Sequence, residues 1–350
     1  MALAPFGVLN DGHKGRLTGG IHTPMYEWPG TREEFATLIS SWVAEVAESL
    51  WPAWSNDGWV GGANARMTEA ARAELALAVD LYHGGGDNLG ILAEVPEDVP
   101  VPPDGHPRTH KWHYEIEDAL VHDRKYQFLI LPPGEVPSFD FRASRTIGSN
   151  YLIYEPGFDI TRFETLFWGR MRGLQPPIFD IKQHFQRPRP WTAATALGVK
   201  GFRWITADGI THTGVHPAIL SGHCIQGILG GCSVLDALLD ELKQTGQGLS
   251  GTQIRSLQKY MVDWGDRRVF AGVHYMTDNI ASWTLARRLI PHLFRNKQQV
   301  ENFAVQAIIH HSQVFKDIVR HFGEKVPDRS VLDPALQMLL RDFPEANPTS

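Results

Sequence analysis

Three short stretches hold residue types that could do chemistry, at spacings that would let them act together. The segment DRRVFAGVHYMTD at 266–278 sets Arg268 six residues before His274 and Asp278 four residues after it. Residues four apart share a face of a helix. On a helix, Asp278 would therefore accept a hydrogen bond from one nitrogen of the His274 ring and leave the other aimed outward. An imidazole held in one tautomer in this way is prepared for nucleophilic or ligand duty. The segment LSGH at 220–223 adds the Ser221 hydroxyl, the Gly222 N–H with no side chain beside it, and a second histidine, His223. KQHFQRPRP at 182–190 adds Lys182 and Arg189. Three fixed cations, two histidines, a serine and a glycine suit a tetrahedral oxyanion.

Each group also has a plainer reading. Lys182 and Arg189 stand seven residues apart, close to the same face of a continuous helix, and such a face can simply be solvated. Pro188 breaks that helix just before Arg189, which leaves both groups able to reach one site. An arginine offers a flat fork of donors for two oxygens and a lysine a mobile point charge. Ser221-Gly222-His223 opens a helix, whose free N–H groups and dipole favour an anion. Glycine there lets the backbone come close to a ligand, although Ser221 could serve only as an N-cap and His223 only as a first-turn polar residue.

The conjunction is more specific than its parts. The order K-x6-R-P, S-G-H, R-x5-H-x3-D, carried by Lys182, Arg189 and Pro190, then Ser221, Gly222 and His223, then Arg268, His274 and Asp278, resembles the superfamily of type 2 phosphatidic acid phosphatases, bacterial class A acid phosphatases and vanadium-dependent haloperoxidases. The resemblance spans about residues 180–280. It departs at Leu220, where the superfamily usually has proline, and at Arg267, where it usually has serine. It implies a helical bundle with the site between helices. It also implies that Lys182, Arg189 and Arg268, with Ser221 and the Gly222 N–H, hold the oxyanion. His274 would attack phosphorus to form a phosphohistidine, Asp278 would orient it, and His223 would protonate the leaving group and then activate water. In a haloperoxidase His274 would instead ligate vanadate.

Phosphate and vanadate share shape and charge, so the motifs leave both branches open. His216, in HPAILSGH, resembles a histidine that bromoperoxidases carry before their SGH. Phe179 stands near the oxyanion lysine where haloperoxidases often have tryptophan, and favours a phosphatase. The leading expectation is a phosphoric ester or diphosphate hydrolase that needs no cofactor. The alternative is a haloperoxidase that holds vanadate and oxidises halide with peroxide, and the third is a non-catalytic member that binds an oxyanion. The expected partners are small molecules: a phosphoester, or a halide with an organic substrate. Trp168, Trp191 and Trp204 could line an apolar entrance or simply pack in the core.

The elements that must position these residues read as helices almost throughout. The chain of 350 residues is 43% hydrophobic and 21% charged, an ordinary globular balance able to bury a sizeable core. Its net charge of −6 argues against nucleic acid as a partner. Cys224 and Cys232 lie eight apart on one expected helix, roughly 12 Å along its axis and too far for a disulfide. They read as reduced core residues. No signal peptide stands out at the N-terminus, no apolar run reaches about 18 residues, and the expected location is cytoplasmic. His110 and His113 alone are too few ligands for a metal site.

In chain order, 1–30 reads as an extended arm. A helix opens on the capping box Thr31/Glu34 and is limited by Pro52, and a second runs from about Thr68 to His83. Residues 94–108, rich in proline and acids, form a loop. A further helix follows the capping box Thr161/Glu164, and a short one spans Ile178 to Gln186. The later helices are expected at about Ser221–Lys243, Thr252–Trp264, Asp278–Phe294, Val300–Phe322 and Val331–Arg341, with Gly323 as a C′ residue. Gly227, Gly230 and Gly231 on one helix suggest close approach of a neighbour. The fold class is mainly α: one helical unit over 1–350, with 178–295 as the motif-bearing core.

Overall fold

The computed structural model describes residues 32–54, 67–82, 166–167, 175–199, 217–246, 248, 251–270, 272–324 and 333–346. Among these residues all regular structure is helical. Helix α1 (Arg32–Glu45) passes through a π turn (Val46–Leu50) into the short α2 (Trp51–Trp54), and α3 (Glu69–Tyr82) follows. Next come α4 (Gln175–Phe185), α5 (Pro190–Ala196), α6 (Gly222–Thr245) and α7 (Gly251–Phe270). Helices α8 (Met276–Leu293), α9 (Lys297–His311), α10 (Gln313–Glu324) and α11 (Asp333–Asp342) complete the order, before a 3-10 turn at Pro344–Ala346. The arm at 1–30, the loop at 94–108 and the histidines His110 and His113 lie outside the described residues.

Helix α6 is the axis of the structure. It starts at Ser221, whose extended backbone (φ −74°, ψ 105°) and side-chain oxygen, accepting from Cys224 N at 3.4 Å, make it the N-cap. It stops at Gly246, where φ is +73° and the N–H returns to Leu242 O at 2.9 Å. Every residue from His223 to Asp236 is buried, so neighbours surround the helix on all sides. It is long and apolar enough to cross a membrane by length and composition alone, yet 78% of its apolar window is covered by the rest of the protein.

Helix α7 lies antiparallel against α6. A Cβ at Gly227 would fall 2.3 Å from Met261 O and 2.6 Å from Trp264 Cβ, and one at Gly265 would fall 2.7 Å from Cys224 Cβ. As the residue number climbs on α6 it falls on α7, which sets the direction. These contacts are the close approach that the glycine spacing suggested. Helices α8 and α9 close the other sides of α6. One apolar cluster runs from Trp42 and Trp54 through Ile228, Met261 and Trp283 to Phe343, so α1 and the last helix share a core with the motif helices. Trp42 also donates from Nε1 to Thr284 Oγ1 at 3.2 Å. A smaller cluster joins Ala71, Leu75 and Ala78 of α3 to Ala193 and Ala194 of α5, with Tyr275 between them.

Several boundaries differ from expectation, each for a local reason. Pro52 does not end the helical run: the backbone stays helical at Trp51, whose N–H bonds to Val46 O across the wider π turn, and the run continues through Pro52 to Trp54. Pro176 and Pro177 likewise stand inside the first turn of α4 rather than ahead of it. The expected helix over 300–322 is two helices broken at Ser312, whose extended backbone and Oγ, accepting from Phe315 N at 3.0 Å, cap α10. Gly323 is within α10, which continues to Glu324.

Asp266 completes that break. Its carboxyl accepts from Ser312 Oγ at 2.8 Å and from Gln313 N at 2.6 Å. These donors favour the ionised form, but burial and the neighbouring Asp263 outweigh them and push the group up to about 7, against an ordinary 3.8. Between those values the folded chain holds a proton that the unfolded chain has released, so this group's contribution to stability falls as pH rises from 3.8 towards 7. The expected result is that Asp266→Asn, which keeps an acceptor for Gln313, flattens this part of the profile. Thermal melts of both proteins across that window check it, and parallel profiles would contradict the shift.

Candidate functional site

The site forms where four chain segments meet: the C-terminal half of α4, the N-terminus of α5, the N-terminus of α6, and the turn between α7 and α8. Lys182 stands on α4 and Arg189 caps α5, with Pro190 at its first helical position. Arg268 lies in the last turn of α7, which extends past the expected end at Trp264. His274 is not on a helix. It occupies the turn between α7 and α8, where its N–H and that of Val273 bond to Arg268 O at 3.1 and 3.0 Å.

The His274–Asp278 pair therefore meets by a different geometry from the shared helix face expected. Asp278 is the third residue of α8 and reaches back over the helix start. Its Oδ2 accepts from Tyr275 N at 2.9 Å and lies 2.9 Å from His274 Nδ1. A carboxylate only accepts, so Nδ1 carries the proton. The other face of the ring agrees: Arg189 Nη1, which can only donate, lies 2.6 Å from His274 Nε2. Both partners select the same tautomer, with a lone pair on Nε2.

The surroundings keep that ring neutral. Burial, then the charges of Arg189, Lys182 and Arg268, hold His274 well below the ordinary histidine range, and His223 acts in the same direction. Four side chains named from the sequence thus bear on one imidazole. Arg189 also donates to Val273 O at 2.8 Å. Arg268 Nη2 lies along the edge of the His223 ring, 3.1 Å from Nε2 and 3.4 Å from Nδ1. The His223 ring is nearly parallel to the indole of Trp264, at 18° with centroids 5.9 Å apart.

Lys182 is placed otherwise than a direct oxyanion ligand. Its Nζ donates to Pro217 O, Ala218 O and Leu220 O at 2.7, 3.1 and 2.5 Å. Three donors on three carbonyls fold the segment leading into Ser221, and the ammonium contributes to the site as a nearby charge. Ser221 is buried as the N-cap of α6 and its N–H faces Asp278 O at 3.4 Å. Gly222 is half-buried, and a Cβ there would meet only Ile178 Cγ2 at an ordinary 3.5 Å. Packing does not demand glycine at that position. Phe179 and Trp191 are half-buried on α4 and α5. His216, Trp168 and Trp204, and the side chain of Arg267, lie outside the described residues.

Glu74, Arg187 and Thr277 were not singled out in the sequence. Arg187 is fully buried two residues before Arg189 and donates from Nη1 to Asp278 Oδ1 at 3.0 Å and to Thr277 Oγ1 at 2.6 Å. Its Nη2 donates to Glu74 Oε2 at 2.8 Å. Its guanidinium lies 3.9 Å from the Tyr275 ring centroid. Glu74 also accepts from Thr277 N at 2.8 Å and from Thr277 Oγ1 at 2.9 Å. Two signals were present: an arginine enclosed by a proline motif, and a carboxylate on the Ala71–Leu75–Ala78 stripe of α3.

Burial pushes the carboxyl of Asp278 up, and Arg187 is the first influence pulling it back. Among the described residues no group of three or more His, Cys, Asp or Glu side chains could hold a metal ion. Cys224 and Cys232 are both buried and form no disulfide. Models of known families, curated proteins and solved structures yield no match to the chain.

Proposed function

We propose that this protein hydrolyses phosphoric esters or diphosphates through a phosphohistidine on His274, within a helical bundle of the acid phosphatase and haloperoxidase type. The observation that carries this reading is the tautomer of His274: proton on Nδ1 towards Asp278, lone pair on Nε2 towards Arg189. A phosphoryl group that displaces Arg189 from Nε2 would take donors from Arg189, Arg268, the Ser221 hydroxyl and the Gly222 N–H. The Nε2 lone pair forms the N–P bond as the P–O bond to the leaving group breaks, and the proton on His223 moves to the departing oxygen. Asp278 then faces a ring that has gained positive charge. His223 next takes a proton from water, the water oxygen bonds to phosphorus, and the N–P bond breaks to release phosphate and neutral His274.

The same atoms fit vanadate, with His274 Nε2 as the ligand; bound there, vanadate would supply peroxide activation. A paired assay separates the two chemistries: phosphate release from a panel of phosphoesters and diphosphates, and bromination with added vanadate and peroxide. Phosphate release is expected, with orthovanadate competing against substrate. If millimolar orthovanadate leaves the release untouched, the oxyanion site fails as described. Bromination without phosphate release would move the chemistry to the haloperoxidase branch.

A further inference from the structure

We infer that Glu74 and Arg187 are positioning residues that aim His274 through Asp278. This inference rests on the reading of His274 as the nucleophile. A carboxylate held at one oxygen can rotate about its Cβ–Cγ bond; held at both, it cannot without losing a partner. Asp278 is held at both, by Arg187 at Oδ1 and by Tyr275 N and His274 at Oδ2. Arg187 in turn is a flat fork with a second tether, Nη2 on Glu74 at 2.8 Å. Glu74 closes the loop on the same helix start, because it also accepts from Thr277 N and Thr277 Oγ1. The stack of Arg187 on the Tyr275 ring leaves the fork little freedom out of its plane.

All of these groups are almost fully buried, with side-chain exposures of 0% for Arg187 and Asp278 and 2% for Glu74. In that setting a lone carboxylate or guanidinium would be strongly disfavoured. Each charge therefore depends on the other two, and the set behaves as one unit. Its reach is longer than the motifs: Glu74 is more than a hundred residues from any of them and arrives on α3. The amino-terminal helices thus contribute a part to the chemistry as well as a wall to the core. Arg189 and Arg268 remain in place for anion binding when this unit is disturbed, so its loss acts on the aim of Nε2 rather than on the grip on the anion.

The test uses the full chain labelled with ¹⁵N-histidine, and a His274→Asn spectrum to identify the His274 ring signals. Wild type is expected to show Nδ1 protonated and Nε2 bare. Glu74→Gln and Arg187→Lys keep volume while breaking one tether each, and both are expected to give a mixture of His274 tautomers. A parallel loss of about 10–100-fold in kcat, as for outer partners of liganding histidines, should leave the inhibition constant of inorganic phosphate nearly unchanged. Thr284→Val, which removes the bond from Trp42 and the one to Ala281 O and touches none of the groups around His274, serves as the control for general loosening and should leave the ring signals alone. Unchanged His274 signals in either folded variant would overturn the inference, as would phosphate affinity falling in step with kcat. Should Arg187→Lys not fold, Glu74→Gln decides alone. The ring spectrum requires no turnover, so it decides this point even if wild type releases no phosphate, an outcome that would sink the nucleophile reading separately.

Discussion

Turnover is expected to vanish in His274→Ala and to survive in part in His223→Ala. The difference follows from the two rings' surroundings. His274 is the one whose Nε2 lone pair is selected by an acceptor on one side and a donor on the other. Without it no N–P bond forms with any substrate. His223 stands beside Arg268 and Trp264, and in the proposed reaction it acts on the leaving oxygen, where proton transfer contributes about 10²–10⁴-fold. An aryl phosphate with a good leaving group needs less of that help than an alkyl phosphate. Single-turnover phosphate release from both substrates, with acid-quenched samples probed for phosphohistidine, distinguishes the roles. Equal losses on both substrates in His223→Ala, with no covalent species, would remove the division of labour. Turnover by His274→Ala would place the nucleophile elsewhere.

The largest effect on stability is expected at Gly227, and its comparison with Gly222 separates packing from binding. An alanine at 227 would set its Cβ 2.3 Å from a backbone carbonyl of α7, which no side-chain rotation relieves. The two helices must part, at a cost of about 1–3 kcal/mol or more for overpacking of this kind. Trp264 rides on the displaced face and stacks on His223, and Arg268 follows one turn later, so activity should fall along with the melting temperature. At 222 the same methyl group meets only an ordinary contact. Gly222→Ala should therefore melt close to wild type while losing affinity for phosphate, because the methyl crowds the space beside the N–H. Denaturant midpoints and phosphate inhibition for both variants check the pair. A stable Gly227→Ala protein would show that α6 and α7 are not in such close contact.

The parts of this arrangement that were legible in the sequence are those written in local spacing. The Ser221 cap, the glycines of α6 and the apolar stripes of α1 and α3 each follow from residues a few positions apart. The break at Ser312 depends on a partner from elsewhere: Asp266 reaches Ser312 across the bundle, and no window around 312 contains it. The same holds at the site. The spacing of His274 and Asp278 pointed to a bond between them but to the wrong backbone for it, because four residues can span a helix turn or a helix start. Lys182 was visible as a charge, whereas the three carbonyls that take its protons are set by the fold. Glu74 and Arg187 belong to a pairing that spans 113 residues, and only the folded chain brings them together.

Asp278 does two things with one carboxylate: it caps the backbone of α8 at Tyr275 and it orients His274. A lineage that gave up the proposed reaction would still be selected to keep the aspartate, since a frayed α8 harms the whole bundle. The histidine has no such protection, because its side chain caps nothing. When other chains with these motifs are sorted into active enzymes and retired ones, the aspartate will therefore be a poor witness. A chain with the aspartate but another residue at the histidine position would be a descendant that kept the architecture after its chemistry had ended.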